Sequence, residues 1–335
     1  MKSGLRLLIV GSSGSSHVGA SLLRAADRMG IEAQLCDTGS AWRHGTFRQK
    51  LLWHVGGRRP VALQRFSRTI LDTTSRFQPD IIVTTGAAPV LAVAILRCRD
   101  KGIKCINFST DDPFNLRQRA PWFLQALREY DVVFTPRVAN EEELRLHGCR
   151  RVEYLPFGYD ETLFFPEPNV GADETSDLFF AGTADRDRLP YIRAAIDAGF
   201  QVRLHGIYWD RFPETRAISR GQADIPTLRR ATTGCRVALC LVRHENRDGH
   251  SMRTFEVPAV GACMVVEDTV EHRQIFGEDG DRVVYFKTAG EMVERVQTLL
   301  ANEILRKALK ENVHLHITKS ANTYADRLGT MISGV

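Results

Sequence analysis

Short runs of aliphatic and β-branched residues alternate with stretches whose apolar positions recur every three to four residues, through most of the chain. In the first half, Leu5 to Val10, Ala33 to Cys36, Ile81 to Thr84, Cys105 to Phe108, Val132 to Thr135 and Val152 to Leu155 read as strands. Ser21 to Met29, Leu63 to Phe77, Val90 to Lys101 and Ala139 to His147 read as helices. A second strand series follows at Leu178 to Ala181, Val202 to His205, Val237 to Leu241, Cys263 to Val266 and Val283 to Phe286. Strands separated by helices imply parallel sheets covered on both faces. Between the two series, Pro166 to Ser176 combines prolines, glycine and acids without an apolar period and reads as a linker. The tail from Glu303 to Ile332 is helical in pattern and strand-free. The pattern therefore predicts an α/β protein of two Rossmann-like domains, residues 1–168 and 169–318, with a last helix in 319–335 returning to the first domain.

Length agrees, since 335 residues suit two domains of about 150 each, and 43% hydrophobic content is ordinary for a globular chain. A formal charge of +5 suits anionic substrates or a membrane surface and is too weak to argue for nucleic acid, which is not expected as a partner. Seven cysteines without a C-x-x-C pair, several in apolar runs, point to a reducing cytoplasm. The apolar runs Leu5 to Val10 and Ala87 to Leu96 are too short to span a bilayer. From Trp42 to Leu71 the chain holds Arg43, Arg48, Lys50, Arg58, Arg59, Arg65 and Arg68 and no acid, interleaved with Phe47, Leu51, Leu52, Trp53 and Phe66. This basic segment, 43–68, reads either as a solvated helix face or as a contact with anionic lipid or a phosphate-bearing acceptor. The second choice would put the protein peripherally at the inner face of a membrane.

The densest polar chemistry is D-G-H-S-M-R-T-F-E, Asp248 to Glu256, directly before an apolar helix and the strand-like run Ala262 to Val266. Arg253 and Glu256 share a face of that helix, and Asp248 precedes it in a glycine-containing turn. Helix-start amides favour a phosphate, Arg253 adds charge-assisted bonds, and the two carboxylates accept bonds from sugar hydroxyls. A nucleotide sugar carries all of these groups. Gly182-Thr-Ala-Asp-Arg186-Asp-Arg188 repeats the strand-glycine-helix geometry, with Arg186 able to reach a diphosphate or simply solvated. Tyr208, beside Trp209, offers a ring to a base, although core packing explains both rings equally well.

In the first half, Gly11-Ser-Ser-Gly14-Ser-Ser-His17-Val-Gly19 follows the first strand. Gly11 and Gly14 can admit a ligand on the acceptor side, and His17 is a candidate for proton transfer, as histidines in general are, though such a histidine more often bonds only locally. The stretch is an irregular dinucleotide fingerprint whose ribose acid is missing unless Asp37 serves, so an oxidoreductase is a poor option. Asp111 and Asp112, in T-D-D-P-F-N, follow another strand and can orient or deprotonate an acceptor hydroxyl, or open a turn before Pro113. His244, Glu245, Asp248 and His250 fit no metal spacing, and Asp185-Arg-Asp187 has an arginine between its acids, so neither a metal nor a cofactor beyond the donor is expected.

From Asp177 to Lys287 the chain resembles the group 1 (family 4-like) glycosyltransferases of GT-B fold, in the spore-maturation-protein-like branch. The likeness rests on D-L-F-F-A-G-T-A-D-R, S-M-R-T-F-E-V-P-A-V-G-A-C-M-V-V and V-V-Y-F-K-T-A-G-E-M. Asn322 to Arg327, N-T-Y-A-D-R, is similar to a further motif, and T-D-D-P-F and Y-L-P-F-G-Y-D match in the first half. The paired glutamates of that family fall on Asp248, a shorter acid, and Glu256. The resemblance implies two domains facing a cleft and a hexosyl-type, nucleotide-sugar-dependent transferase of glycan biosynthesis, retaining and without an obligatory metal. It implies that Glu256 holds the ribose, that Asp248 with the amides of Gly249, His250 and Ser251 meets the sugar and β-phosphate, and that Arg186 or Arg253 binds the diphosphate. The acceptor would be a glycan, lipid-linked or small-molecule hydroxyl. Two rivals share the architecture: a nucleotide-sugar epimerase, and a binding protein whose chemistry has decayed, suggested by Asp248 in place of the longer acid.

Overall fold

The structure is a computed structural model that describes residues 4–42, 46–168 and 170–335; Arg43 of the basic segment lies outside them. The chain forms two compact units. One runs to Pro156 and adds Glu245–Arg247 and Tyr324–Val335, while the other holds Phe157–His244 and Asp248–Thr323.

The first unit is built on a parallel sheet of order β2-β1-β3-β4-β5-β6. Its strands are β1 (Arg6–Gly11), β2 (Glu32–Asp37), β3 (Ile81–Thr85), β4 (Lys104–Phe108), β5 (Val132–Thr135) and β6 (Val152–Tyr154). Its helices are α1 (Val18–Arg28), α2 (Phe47–His54), α3 (Leu63–Phe77), α4 (Ala92–Asp100), α5 (Pro121–Leu127) and α6 (Val138–Leu146). Leu7, Leu8, Ile9 and Val10 are all wholly buried because helices cover both faces of β1, which is why that strand reads as an unbroken apolar run. Along α3 the buried residues Leu63, Phe66, Ser67, Ile70 and Thr74 recur at helical spacing, and the helix stops at Gln78 in a left-handed conformation.

The second unit has the sheet order β11-β10-β9-β7-β8, again parallel. Its strands are β7 (Ser176–Ala181), β8 (Val202–His205), β9 (Cys235–Cys240), β10 (Met264–Glu267) and β11 (Val284–Phe286). The helices are α7 (Leu189–Asp197), α8 (Pro213–Arg216), α9 (Ile225–Gly234), α10 (Arg253–Val260), α11 (Val270–Phe276), α12 (Ala289–Ala301) and α13 (Glu303–Lys319). Leu178, Phe180, Leu239 and Val265 pack with Ile192, Met292 and Val296 on one face of this sheet. The stretch read as a linker is tied to this unit by Glu167–Arg229 at 2.7 Å and Glu174–Arg203 at 2.9 Å.

The helical tail divides into α13 and a terminal helix α14 (Tyr324–Ser333), which packs on α1 and through Arg327 donates to the Pro156 carbonyl at 2.9 Å. Every strand expected from the apolar runs is present, with ends displaced by no more than two residues. The sequence pattern gives no range for α5, α8, α9, α11 or α12, and α2 lies in the basic segment, one reading of which is a solvated helix face. No helix among the described residues is long and apolar enough to cross a membrane.

Candidate functional site

Parallel strands bring all their carboxyl ends to one edge of a sheet, and open α/β sheets bind ligands at that edge where the strand order reverses. In the second unit the reversal lies between β7 and β9. Arg188 spans it: the guanidinium donates to the Thr183 carbonyl after β7 at 3.1 Å and to the Leu241 and Val242 carbonyls after β9 at 3.4 and 3.3 Å. Asp185 turns it inward by accepting the Arg188 amide at 2.8 Å and lying 3.5 Å from the guanidinium. Burial pulls the Arg188 pKa down, partly opposed by the Asp185 charge. Arg186, expected at a diphosphate, is exposed, and Arg188 is the arginine at the reversal point. Its signal in the sequence was the D-x-x-R turn before Leu189-Pro190.

Of the two aromatic rings after β8, Trp209 is wholly buried and its indole N–H donates to the Gly182 carbonyl at 2.8 Å, closing the β7 loop onto the β8 loop. Tyr208 is exposed, held at φ 74°, with the Arg211 guanidinium 3.8 Å from its ring centroid. Tyr208 is therefore the ring with a face to offer.

The D-G-H-S-M-R-T-F-E stretch joins β9 to α10 and is held from below by the ends of β10 and α11. Glu267, buried at the end of β10, accepts the Val242 amide at 3.0 Å and pairs with His244 at 2.6 Å. The Thr269 hydroxyl caps α11 and donates to the Gly249 carbonyl. Gly249 lies so close to the Glu271 carboxylate that a Cβ there would overlap it. Ser251 donates its amide to the Thr254 hydroxyl at 3.0 Å, and that hydroxyl lies 3.0 Å from His272 Nε2. His272 Nδ1 lies 2.7 Å from the Glu267 carbonyl, which can only accept, so the ring proton sits on Nδ1 and Nε2 accepts from Thr254. Burial pushes the His272 pKa down to about 4, which keeps the ring neutral and this polarity fixed.

On that support Asp248 is half-buried with its amide on the Arg243 carbonyl at 3.2 Å, and His250 is buried between the Phe157 and Phe255 rings with Nε2 accepting the Phe157 amide at 3.2 Å. Glu256 is buried on the first turn of α10 and pairs with Arg253. The pair lines a cavity of about 10 Å³ with Phe164, Phe179, Leu228 and Thr232, room for about one water. The two acids thus have different surroundings. The Ser251 amide is already engaged by Thr254 and serves to shape the turn. Glu267 and His272 were invisible as site residues because they reach the loop from β10 and α11, and Thr254, inside the stretch, gains its part only from the His272 contact. No cluster able to hold a metal occurs among the described residues; Glu245 pairs with Arg117 at 2.7 Å.

In the first unit the order reverses between β1 and β3, beneath the glycine-rich turn. A Cβ on Gly11 would come within 2.6 Å of Thr85 Oγ1 and 2.9 Å of the Gly19 Cα, so these glycines let α1 seat against the strands. Gly14 and His17 are exposed at the crest, with the His17 amide on the Gly14 carbonyl at 2.9 Å and the imidazole against Gly14. Asp37 accepts the Ser13 and Gly39 amides at 3.2 and 3.0 Å, so its carboxylate shapes its own turn.

The two acids after β4 separate sharply. Asp111 is exposed at the carboxyl edge beside Gly86. Asp112 is buried and accepts from Arg247 at 2.6 and 2.9 Å, from the Phe114 amide at 2.9 Å and from Asn140 at 2.9 Å. Burial opposes its ionisation, but these bonds prevail and hold its carboxyl below the usual carboxylate range.

Residues 188–333, from Arg188 through the whole Asp248–Glu256 turn and α10, match the family described as Glycosyl transferase-like. No curated protein matches the sequence. The fold is shared with sucrose-phosphate synthase from Thermosynechococcus elongatus, at 12% identity over 98% of both chains and a TM-score of 0.71. It is shared with Anabaena Alr3699/HepE in complex with UDP-glucose, at 12% identity over 99% of this chain and 100% of that one, TM-score 0.68. T4 phage BGT in complex with its UDP-glucose substrate is similar at 14% identity over 99% of both chains, TM-score 0.60. The chain has the GT-B fold, and its region from Arg188 to Ser333 is similar to the glycosyl transferase-like family.

Proposed function

We propose that this protein is a glycosyltransferase that takes its sugar from a nucleoside diphosphate, a uridine diphosphate first among the candidates, and passes it to a hydroxyl presented by the first unit. The observation that carries this reading is the pairing of buried Glu256 with half-buried Arg253 on the opening turn of α10, at the end of the turn from β9 that also carries half-buried Asp248. A buried carboxylate already held by one cation can exchange to ribose hydroxyls, freeing the Arg253 guanidinium for a diphosphate. Departure of the diphosphate then needs positive charge, which Arg253 and the α10 amides supply without a bound cation. Transfer with retention at the anomeric carbon and independence from metal belong to the same proposal, as does a cytoplasmic location. The likeness of residues 188–333 to a glycosyl transferase-like family and the UDP-glucose complexes of two proteins of this fold support it.

The test is a thermal-shift screen across uridine, guanosine, adenosine and thymidine diphosphates, followed by incubation of the parent protein and Glu256→Ala with the corresponding nucleotide sugars. A nucleotide-dependent rise in melting temperature that Glu256→Ala reduces, with nucleotide release on adding acceptor hydroxyls, is expected. Absence of binding, transfer and donor hydrolysis together would refute the proposal. Conversion of the free donor without any acceptor would point to an epimerase instead.

A further inference from the structure

Helix α2 is inside out. Its one fully buried residue is Gln49, whose side chain donates to the Arg59 carbonyl at 3.2 Å and accepts the Val61 amide at 3.0 Å. Trp53 packs edge-on against Trp42, with ring centroids 5.8 Å apart. These contacts fix the rotation of the helix, and that rotation turns Phe47, Leu51 and Val55, one turn apart, to solvent at 81%, 50% and 79% exposure. Leu116, 77% exposed, is brought to the same end of the unit because the Arg58 guanidinium donates to the Leu116, Arg117 and Arg119 carbonyls at 2.9, 2.6 and 3.2 Å. Contiguous large apolar groups held in water mark a surface meant for a partner.

Charge selects the partner. Besides Arg58, whose guanidinium is taken up by the carbonyls, the described residues between Trp42 and Leu71 include Arg48, Lys50, Arg59, Arg65 and Arg68, with neither Asp nor Glu among them. Two copies of this surface would set like charges against each other, whereas an anionic bilayer accepts the apolar stripe below its headgroups and the basic residues at them. At 1.5 Å per residue the eight residues of α2 extend only about 12 Å, so the helix can lie in the interface and cannot span it. We propose that α2, with Leu116, docks the first unit onto anionic lipid surfaces. The inference is independent of sugar transfer, and its test involves none.

The full chain is sedimented with vesicles of phosphatidylcholine alone and of equal parts phosphatidylcholine and phosphatidylglycerol. Partitioning about tenfold greater on the anionic vesicles, falling severalfold as salt is raised, is expected. The double substitution Phe47→Ser with Leu51→Ser should lower it at least about tenfold at an unchanged melting temperature, since both side chains are exposed. Brominated phosphatidylglycerol should quench tryptophan emission, and Trp53→Phe should abolish most of that quenching while the protein still sediments. Equal sedimentation with both vesicle types, undiminished binding of the double variant, or a concentration-dependent dimer that the double variant abolishes would each overturn the proposal.

Discussion

Thr254→Val removes one hydroxyl and leaves the outline of the side chain nearly unchanged, which makes it the sharpest probe of the turn that carries Asp248 and Ser251. Thr254 is wholly buried and its oxygen is the meeting point of the Ser251 amide and His272 Nε2, each at 3.0 Å. Valine leaves both without that partner, at about 1–3 kcal/mol for each group, so a loss of about 2–6 kcal/mol is expected. For a unit of this size each kcal/mol moves the midpoint by about 2–4 °C, so the melting temperature should fall by about 4 °C at least and by up to about 24 °C. Differential scanning calorimetry reads this directly. Thr254→Ser keeps the hydroxyl and should lose no more than about 1 kcal/mol, for one methyl group. A valine variant melting within about a degree of the parent, or a serine variant falling equally far, would show that the hydroxyl does not hold the turn.

Burial holds His272 neutral down to about 4 against an ordinary value of 6.5, so the unfolded chain takes up its proton first as the pH falls. The stability this contributes is complete above 6.5 and is lost towards pH 4, a change of about 3 kcal/mol in the second unit. Urea midpoints at pH 7 and pH 4.5 should show it, and His272→Asn should flatten the slope; an unchanged slope would contradict the assignment. In the first unit, Asp112→Asn removes the charged acceptor for Arg247, while Glu143 still holds that guanidinium at 2.7 Å, so a loss of about 2–3 kcal/mol is expected. Asp111→Asn, at an exposed position, should leave stability unchanged and lower transfer at constant nucleotide affinity; equal stability of the two variants would remove the distinction between these acids.

Much of this molecule is decided locally. Val10 and Val265 had to lie in strands buried on both faces, because an unbroken β-branched run between helical periods has no other stable use, and the spacing of Leu63, Phe66 and Ile70 fixes the buried face of α3. The D-G-H-S-M-R-T-F-E turn was legible for the same reason: its glycine, its acids and the helix after it are contiguous. Tertiary structure alone decided which neighbour of each pair does what. Arg188 spans the strand reversal while Arg186 faces solvent, Asp112 is buried under Arg247 while Asp111 stays exposed, and Trp209 fills the core while Tyr208 shows its ring. Adjacent residues are chemically alike in the sequence, and what separates them is the direction in which distant strands and loops make the backbone turn. The supports beneath the turn, Glu267 and His272, and the outward apolar stripe of α2 arise in the same way. Glu267 meets the Val242 amide of another strand end and His272 meets Thr254 of another helix, while the rotation of α2 is set by the bonds of Gln49 to the Arg59 carbonyl and Val61 amide of the loop that follows it.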